Sequence, residues 1–542
     1  MKIPGAALAA ALWAGSAHAQ ADSVARVDSI FSRWSALDVP GCAVTVARGG
    51  RTLLTRAYGM ADLEHDVANS AETVFEAGSV SKQFTAAAVV LLAQDGKLSL
   101  DDPVRRYVPE LPDYGAPIRI RHLLNHTSGL RDWGTVEEIA GWPRGTRTYT
   151  HAHVLDIVGR QRAINFPPGS QYLYSNTGYN LLAVIVERVS GMPFARFTRE
   201  RIFQPLGMTR TEWRDDYTRV VKGRAQAYEM GDDGAPHLQM PFENVHGNGG
   251  LLTTVGDLLR WDENFATGRV GGRALVDELQ RRGVLTGGRR IEYAEGLVVT
   301  RWRGIPEVNH SGATAGYRAW LARYPEQRLT VAVLCNAAQA NAVTFGRRVA
   351  DVFLPARAPA PALPQAALAE AELSARAGIY RNTRTNVPVR LAVRDGRLVA
   401  NSQPLLPLSA TRFRLGGPEG PAVEFEPASA GARAGMRVIA ADGDTIAYEP
   451  VEAWTPANLA AFAGEYRSDE AEVIYTIAVE SGKLVLRRRP DVRIELTPVY
   501  RDAFTTENGW VLRFTRDRTG RVNGFGLWVE RVRGLRFERV PR

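Results

Sequence analysis

The chain has 542 residues, of which 45% are hydrophobic and 23% are charged, and this balance is typical of a soluble globular protein. A chain of this length does not fold around one core, and we expect about three domains. The net charge of +9 would suggest a nucleic-acid partner in a cytosolic protein, but the N-terminus predicts export. We therefore expect no nucleic acid, and a charge that serves solubility or contact with anionic envelope polymers.

The N-terminus has the pattern of a secretory signal peptide. Lys2 precedes an apolar run over residues 3–15, and Ala17-His18-Ala19 forms the small-x-small pattern that a signal peptidase cuts. We predict a signal peptide over residues 1–19, a mature chain that begins at Gln20, and a secreted or periplasmic location. No later stretch is apolar for long enough to cross a bilayer, so we expect no membrane span.

The two cysteines lie in two strand-like segments far apart in the sequence. Residues 40–60 predict a β-hairpin with its turn at Gly49-Gly50, and Cys42 lies in its first strand. Cys335 ends a second apolar run. If the two strands are antiparallel neighbours, the thiols lie together and can pair in an oxidising compartment. Two buried free thiols fit the sequence about as well.

The rest of the chain is organised around residues 75–92. From Ser79 onward this stretch favours helix and is apolar on nearly every face, which predicts a buried helix. Ser79 and Lys82 share one face of that helix, and a desolvated lysine can take a serine's proton. A Ser-x-x-Lys pair also occurs often by chance, with a helix-capping serine and a solvated lysine, so the catalytic reading needs partners elsewhere.

Strand patterns return late in this region. Helix and loop patterns extend to about residue 285, and strand patterns follow at residues 293–302, 316–324 and 328–335. A hairpin at the start, helices in the middle and strands at the end predict an α/β (α+β) domain over residues 20–355. Its antiparallel sheet would be closed by distant parts of the chain.

The C-terminal part contains a linker and an internal repeat. Residues 356–369 are rich in proline and alanine, which predicts a semi-rigid linker. Beyond it, the motif at residues 377–381 recurs at 463–467, and a second motif recurs at the same offset. Short alternating strands predict two small all-β barrels, at 370–450 and 455–542. We expect the barrels to have a binding, lid-like or stabilising role rather than a catalytic one. A lipocalin-like carrier is the alternative, which filled barrel interiors would argue against.

Two further segments offer partners for Ser79. Tyr174 and Asn176 precede an apolar helix, where the phenol can relay a proton beside Lys82 and the amide can bind that lysine or a substrate.

His310, Gly312 and Ala313 belong to a strand of small residues. Small residues let a substrate lie along the strand edge. The amides of Ala313 and Ser79 would form an oxyanion hole.

These motifs together resemble the active-site serine penicillin-recognising family, which includes class C β-lactamases, D,D-carboxypeptidases, D-aminopeptidases and related esterases. They are Ser79-x-x-Lys82, Tyr174-x-Asn176 and His310-x-Gly312, and the resemblance extends over about residues 25–355. The resemblance implies a β-lactamase-like fold. The His-x-Gly motif is similar to that of D-aminopeptidases and several esterases, and D-aminopeptidases also carry two C-terminal barrels.

The resemblance also implies roles. Ser79 would be the acylated nucleophile, Lys82 its base, Tyr174 the acid–base relay and Asn176 a positioning group. His310 replaces the lysine usual in β-lactamases, and a neutral histidine offers a directional hydrogen bond in place of a fixed cation. Substrates with a free carboxylate next to the scissile bond are therefore a less certain expectation, and penicillinase action is the less favoured outcome.

The leading hypothesis is an exported serine hydrolase that forms an acyl-enzyme on Ser79 and cleaves amide bonds in D-amino-acid peptides, as a D-aminopeptidase or D,D-carboxypeptidase does. An esterase or β-lactamase of the same family is an alternative, and a non-catalytic sensor of peptidoglycan fragments is another. We expect a small peptide, amide or ester as substrate, with peptidoglycan fragments as further candidates. We expect no cofactor and no metal.

Overall fold

The structure is a computed structural model that describes residues 21–356, 363, 365–418, 420–427 and 433–541. The predicted signal peptide, residues 1–19, lies outside the described residues, as does much of the predicted linker. In the part of the chain that is described, no helix is both long enough and apolar enough to cross a membrane.

A six-stranded antiparallel sheet forms the centre of the N-terminal domain, as the sequence predicts. In spatial order its strands are Val298–Trp302, Ile305–Thr314, Tyr317–Tyr324, Leu329–Cys335, Cys42–Arg48 and Arg51–Tyr58. The first strands of the chain therefore pair with the last strands of the domain. This closes the sheet from distant parts of the sequence.

The sequence predicts three late strands and a further strand of small residues around His310, and the structure has four late strands. The predicted strand at 293–302 begins only at Val298, and a tight turn at Arg303 and Gly304 then starts a further strand, Ile305–Thr314. Both turn residues have positive φ angles of 53° and 83°, which a turn of this kind requires. We call Ile305–Thr314 the cleft strand, because it borders the site described below.

Cys42 and Cys335 form a disulfide bond, which the sequence left open. The two residues are direct partners in the antiparallel pairing of their strands, and their Cα atoms are 4.0 Å apart. The bond therefore joins two segments separated by 293 positions.

Helices pack around a buried central helix, Lys82–Gln94, in which every residue from Lys82 to Leu92 is buried. The other α-helices are Ile120–Leu124, Trp133–Ala140, His151–Gly159, Asn176–Ser190, Phe194–Thr198, Gln204–Leu206, Val255–Thr267, Gly272–Leu279, Ala342–Phe353 and Glu370–Ser374, and residues 21–30 are also helical. Shorter helical turns are Ser32–Trp34, Gly78–Ser81, Val104–Arg106, Arg199–Phe203, Pro325–Gln327 and Leu459–Phe462. Small sheets combine Met60–Asp62 with Val67–Ala68, Tyr228–Met230 with Pro236–Leu238, and Leu251–Thr253 with Phe75–Glu76 and Glu212–Trp213.

The C-terminal part forms two closed eight-stranded antiparallel barrels. The first barrel consists of Gly378–Asn382, Pro388–Arg394, Arg397–Ala400, Gln403–Pro407, Arg412–Leu415, Ala422–Phe425, Met436–Ile439 and Thr445–Val451. The second consists of Gly464–Ser468, Val473–Glu480, Lys483–Arg488, Val492–Tyr500, Ala503–Thr505, Val511–Arg516, Val522–Val529 and Val532–Arg539. The domain boundaries proposed from the sequence stay a prediction.

The sequence repeat falls on equivalent places in the two barrels. Tyr380 and Tyr466 are both fully buried, and each hydroxyl donates to the backbone carbonyl four residues earlier. Buried leucine and phenylalanine side chains fill the interiors of both barrels. A packed interior leaves an apolar ligand nothing to occupy, which argues against the carrier hypothesis.

Candidate active site

Ser79 lies in the turn that leads into the central helix. The turn, Gly78–Ser81, is a single 3₁₀ turn, and the α-helix begins at Lys82. Gly78, Val80 and Ser81 are buried, while Ser79 is half-buried. The Ser79 hydroxyl is therefore the polar side-chain group that this turn presents to the cleft.

Two glycines bring the turn into backbone contact with the cleft strand. Gly78 has a φ angle of +50°, and a Cβ atom there would lie 2.6 Å from the amide nitrogen of Ala313. A Cβ atom on Gly312 would lie 2.0 Å from the carbonyl oxygen of Ala77. Because no other residue fits at either position, the amides of Ser79 and Ala313 are held close to each other.

The Lys82 amine reaches three oxygen atoms. Its Nζ lies 3.1 Å from Ser79 Oγ, 3.0 Å from Asn176 Oδ1 and 2.6 Å from the backbone oxygen of Asn248. The three contacts come from separate segments of the chain, and they fix the amine directly beside the serine hydroxyl.

Burial lowers the pKa of Lys82 well below its usual value. The side chain is fully buried, so desolvation disfavours the ammonium form, and the positive charge of Arg531 acts in the same direction. The negative charge of Asp132 opposes both effects. A neutral amine has two N–H donors and one lone pair, which matches two carbonyl acceptors and one hydroxyl.

Tyr174 lies over the amine. Lys82 Nζ is 4.8 Å from the centroid of its ring. Burial raises the pKa of the Tyr174 phenol, and a hydrogen bond with the Ser79 side chain partly offsets that rise. The phenol is therefore protonated near neutral pH and lies within reach of the serine.

Asn176 starts the helix that follows Tyr174. Its side-chain oxygen accepts from Lys82, and its backbone N–H donates to Asp132 Oδ2 at 2.6 Å. Asp132 also caps the helix Trp133–Ala140 through the N–H of Thr135, at 3.2 Å. One buried carboxylate therefore fixes the starts of two helices that border the site.

Both ring nitrogens of His310 are already hydrogen-bonded. Nδ1 donates to the backbone oxygen of Ser311 at 2.6 Å, which leaves Nε2 to accept from the Tyr293 hydroxyl at 2.9 Å. Burial, with a smaller effect from Lys82, lowers the pKa of His310 to about 3. The imidazole is therefore neutral. Because a substrate would have to displace one of these bonds, substrate binding by His310 stays a prediction.

The cleft strand has one open edge beside Ser79. Its neighbour Val298–Trp302 pairs with it only as far as Asn309, so among the described residues His310–Thr314 pair only with the strand on the other side. A cavity of about 660 Å³ lies against this edge. Gly312 and Ala313 line it, and an extended substrate can add there as a further strand.

Sequence reasoning missed three groups of this site. The carbonyl of Asn248 and the carboxylate of Asp132 have no motif that marks them. Arg531 also lines the cavity, although it belongs to the second barrel. Its turn lies between the strands Val522–Val529 and Val532–Arg539, and no sequence pattern connects it to Ser79.

Comparison with known proteins identifies the family to which this chain belongs. The family described as Beta-lactamase matches residues 27–353. Penicillin-binding protein 4* of Bacillus subtilis is 32% identical over 311 residues, which cover 54% of this chain and 67% of that protein. A D-aminopeptidase of Brucella ovis is 27% identical over 535 residues, which cover 92% of this chain and 96% of that protein.

The solved structures agree on the fold. The octameric penicillin-binding protein homologue from Pyrococcus abyssi superposes with a TM-score of 0.55 at 22% identity, covering 80% of this chain and all of that one. The family match extends over more than half of the chain and includes all three motifs. The chain therefore belongs to the beta-lactamase family, and it is a serine hydrolase.

Proposed function

We propose that this hydrolase cleaves amide bonds in D-amino-acid peptides through an acyl-enzyme on Ser79. The observation that carries the proposal is the three-way contact of the buried Lys82 amine with Ser79, Asn176 and Asn248. The similarity to a D-aminopeptidase over nearly the whole chain supports an amide substrate with a D-residue.

Acylation begins with proton transfer from Ser79 to Lys82. In its neutral form the amine donates its two N–H groups to Asn176 and Asn248, and its lone pair accepts the hydroxyl proton. The serine oxygen forms a bond to the substrate carbonyl carbon, and the carbonyl oxygen becomes an oxyanion. The amides of Ser79 and Ala313 are the proposed donors to that oxyanion.

Tyr174 completes the proton transfer. Its phenol, protonated because burial raises its pKa, donates a proton to the leaving nitrogen as the carbon–nitrogen bond breaks. The proton held on Lys82 then returns to the phenolate. Water attacks the acyl-enzyme in the second half of the reaction and gives its proton to the same pair, and Ser79 leaves as a hydroxyl.

We also propose that the protein is exported. The disulfide between Cys42 and Cys335 supports an oxidising compartment. It agrees with the signal-peptide pattern of residues 1–19. Protease protection in intact cells of a Gram-negative host, lost on outer-membrane permeabilisation, would test this part of the proposal.

Turnover of a small panel tests the reaction. The panel contains the p-nitroanilides of D-alanine and L-alanine, a short-chain p-nitrophenyl ester and benzylpenicillin. We expect hydrolysis of the D-anilide to exceed that of its L-enantiomer. Ser79→Ala should lose at least about a thousandfold in rate, and the exposed Ser99→Ala, as a matched control, should lose nothing. Faster penicillin or ester turnover would instead indicate a β-lactamase or esterase. Acylation without turnover would indicate a sensor.

A further inference from the structure

The second barrel places a charged side chain in the candidate active site. Arg531 lies in the two-residue turn Glu530–Arg531 between the last two strands of that barrel. Its guanidinium carbon is 5.1 Å from the centroid of the Tyr174 ring, and it lines the same cavity as Ser79.

The turn is fixed against the catalytic domain by backbone contacts. The side-chain amide of Asn165 donates to the carbonyl of Arg531 at 3.0 Å and accepts from the N–H of Arg533 at 2.7 Å. Next to it, Arg131 of the catalytic domain forms a buried ion pair of 2.6 Å with Glu470 of the second barrel. Arg531 is therefore held at the cleft by two independent sets of contacts.

Two acids lie near Arg531, but neither engages its guanidinium through both carboxylate oxygens. Asp132 Oδ2 is 4.0 Å from the guanidinium, but the Asp132 carboxylate already accepts from the backbone N–H groups of Asn176 and Thr135. The other partner, Glu530, has a side chain that is 74% exposed, so water screens that pair. The Arg531 side chain keeps 28% of its surface exposed, and it is one of the residues that line the cavity.

The cavity is lined by positive groups and by no acid among the described residues. Its charged lining side chains are Arg144, Arg318 and Arg531. Arg144 is bound by both carboxylate oxygens of Glu243, and Arg318 donates to the backbone oxygens of residues 315 and 317, at 2.7 and 2.8 Å. An ammonium group would find no carboxylate here, whereas a carboxylate would find Arg531.

We propose that Arg531 binds a carboxylate of the substrate, so that the second barrel makes this enzyme prefer anionic amides over amides with a free ammonium group. The inference rests on the proposed function, because it names the substrate class of the same site. It bears on a point that the sequence left open, because a neutral His310 offers no fixed cation to a substrate carboxylate. The cation that the third motif lacks comes from another domain.

Matched substrates test the preference. On the acyl side, N-succinyl-D-alanine p-nitroanilide is compared with the N-acetyl and free-amine forms. On the leaving side, N-acetyl-D-alanyl-D-alanine is compared with its C-terminal amide. We expect one carboxylate compound to exceed its neutral partner in kcat/KM by about tenfold or more, mainly through KM, and the free amine to be the poorest acyl-side substrate.

Variants assign the preference to Arg531. In Arg531→Gln, kcat/KM for the anionic substrate divided by kcat/KM for its neutral partner should fall close to one. Arg531→Lys should keep most of the preference for the anionic substrate. Arg518→Gln removes the same charge from an exposed turn of the same barrel and should change nothing. A preference for the free amine in the wild type would overturn the inference. So would an unchanged ratio in Arg531→Gln, or equal losses in the Gln and Lys variants together with a lower melting temperature.

Binding separates this inference from the proposed reaction. Ser79→Ala protein is titrated with N-acetyl-D-alanyl-D-alanine, with N-succinyl-D-alaninamide and with neutral N-acetyl-D-alaninamide, by calorimetry and without turnover. We expect at least one anionic ligand to bind about tenfold more tightly than the neutral one, and Arg531→Gln to remove that difference. If the wild type hydrolyses no amide but this difference is present, the proposed function fails and the inference stands. Equal binding of all three ligands overturns the inference alone.

Discussion

The two C-terminal barrels share one topology and a repeated sequence, but they meet the catalytic domain in different ways. The buried apolar side chains of the second barrel form one continuous cluster with those of the catalytic domain. Those of the first barrel form a separate cluster of their own. The second barrel is therefore part of the catalytic unit, while the first is an attached module.

The polar contacts follow the same division. The second barrel contributes the fully buried pair Arg131–Glu470 and a bond from the Tyr475 hydroxyl to the backbone of Ile139. The first barrel meets the catalytic domain through Arg289, which binds Asp442 and Asp444 at a partly exposed site. The two barrels share strand number and closure, whereas their contacts with the catalytic domain differ.

The residues proposed for proton transfer and nucleophilic attack lie in neither barrel. Replacement of Lys82 tests this division and has the largest expected effect. Lys82→Ala removes the proposed proton acceptor beside Ser79, so we expect acylation by a chromogenic ester to slow by at least about a thousandfold. The exposed Lys97→Ala is the control. Stopped-flow acylation rates measure the effect. A comparable loss in a variant of the first barrel would contradict the division.

Tyr174→Phe should also slow acylation by orders of magnitude without unfolding the protein, because the ring remains and only the hydroxyl is lost. Thermal melting of both variants checks this point. A clear fall in melting temperature that accompanies the slower acylation would assign a structural role to Tyr174.

Loss of the buried pair between the catalytic domain and the second barrel has the next largest effect. Arg131→Ala leaves the Glu470 carboxylate buried without its charged partner, although the backbone N–H of Arg162 still donates to it, and we expect a cost of about 3–5 kcal/mol. Arg162 forms an exposed pair with Asp469 at the same interface, and Arg162→Ala should cost less than about 1 kcal/mol. Urea unfolding measures both values. A small effect of Arg131→Ala would mean that the second barrel docks through its apolar surface alone.

The pH dependence of stability that comes from histidines should arise in the N-terminal domain and not in the barrels. All nine histidines precede residue 311, so neither barrel contains one. Burial lowers the pKa of His310 to about 3. Below its ordinary value of about 6.5, the unfolded chain therefore takes up a proton that folded His310 does not.

Wild-type stability should consequently fall as pH drops from 6.5 toward 3. Each pH unit well inside this window contributes up to about 1.4 kcal/mol. His310→Gln lacks this contribution, so the unfolding free energy of the wild type relative to the variant should decrease between pH 7 and pH 5. Urea unfolding at the two pH values measures the change. An unchanged difference would show that His310 titrates normally.

The smallest effect is expected at the first barrel. Arg289→Ala removes two partly exposed ion pairs, but Asp444 keeps Arg384 at 2.8 Å. We expect a loss of about 1 kcal/mol or less and no change in kcat/KM. A large loss of activity would mean that the first barrel also acts on the cleft.

The sequence predicted the parts of this molecule that depend on local pattern. Periodicity marked the buried central helix and the two barrels, and short motifs marked Ser79, Lys82, Tyr174 and Asn176. It did not predict the carbonyl of Asn248, because a backbone group carries no residue signal. The disulfide depends on strand register, which apolar runs alone do not determine.

Arg531 could not be predicted from the sequence for a different reason. A positive residue in an exposed-looking hairpin turn is ordinary in sequence, and only the docking of the second barrel brings it to the cleft. The same docking bears on the proposed substrate, because the motif residue His310 is neutral and Arg531 is the cation that we propose for a substrate carboxylate.

The central claim is a covalent intermediate on Ser79, and intact-protein mass spectrometry tests it most directly. The protein is quenched within seconds of mixing with a p-nitrophenyl ester of N-acetyl-D-alanine, and peptide mapping then locates the adduct. We predict one acyl group per chain, on the peptide that contains Ser79, and none in Ser79→Ala. Turnover without any adduct in a variant with slowed deacylation, or an adduct that persists in Ser79→Ala, would contradict the account.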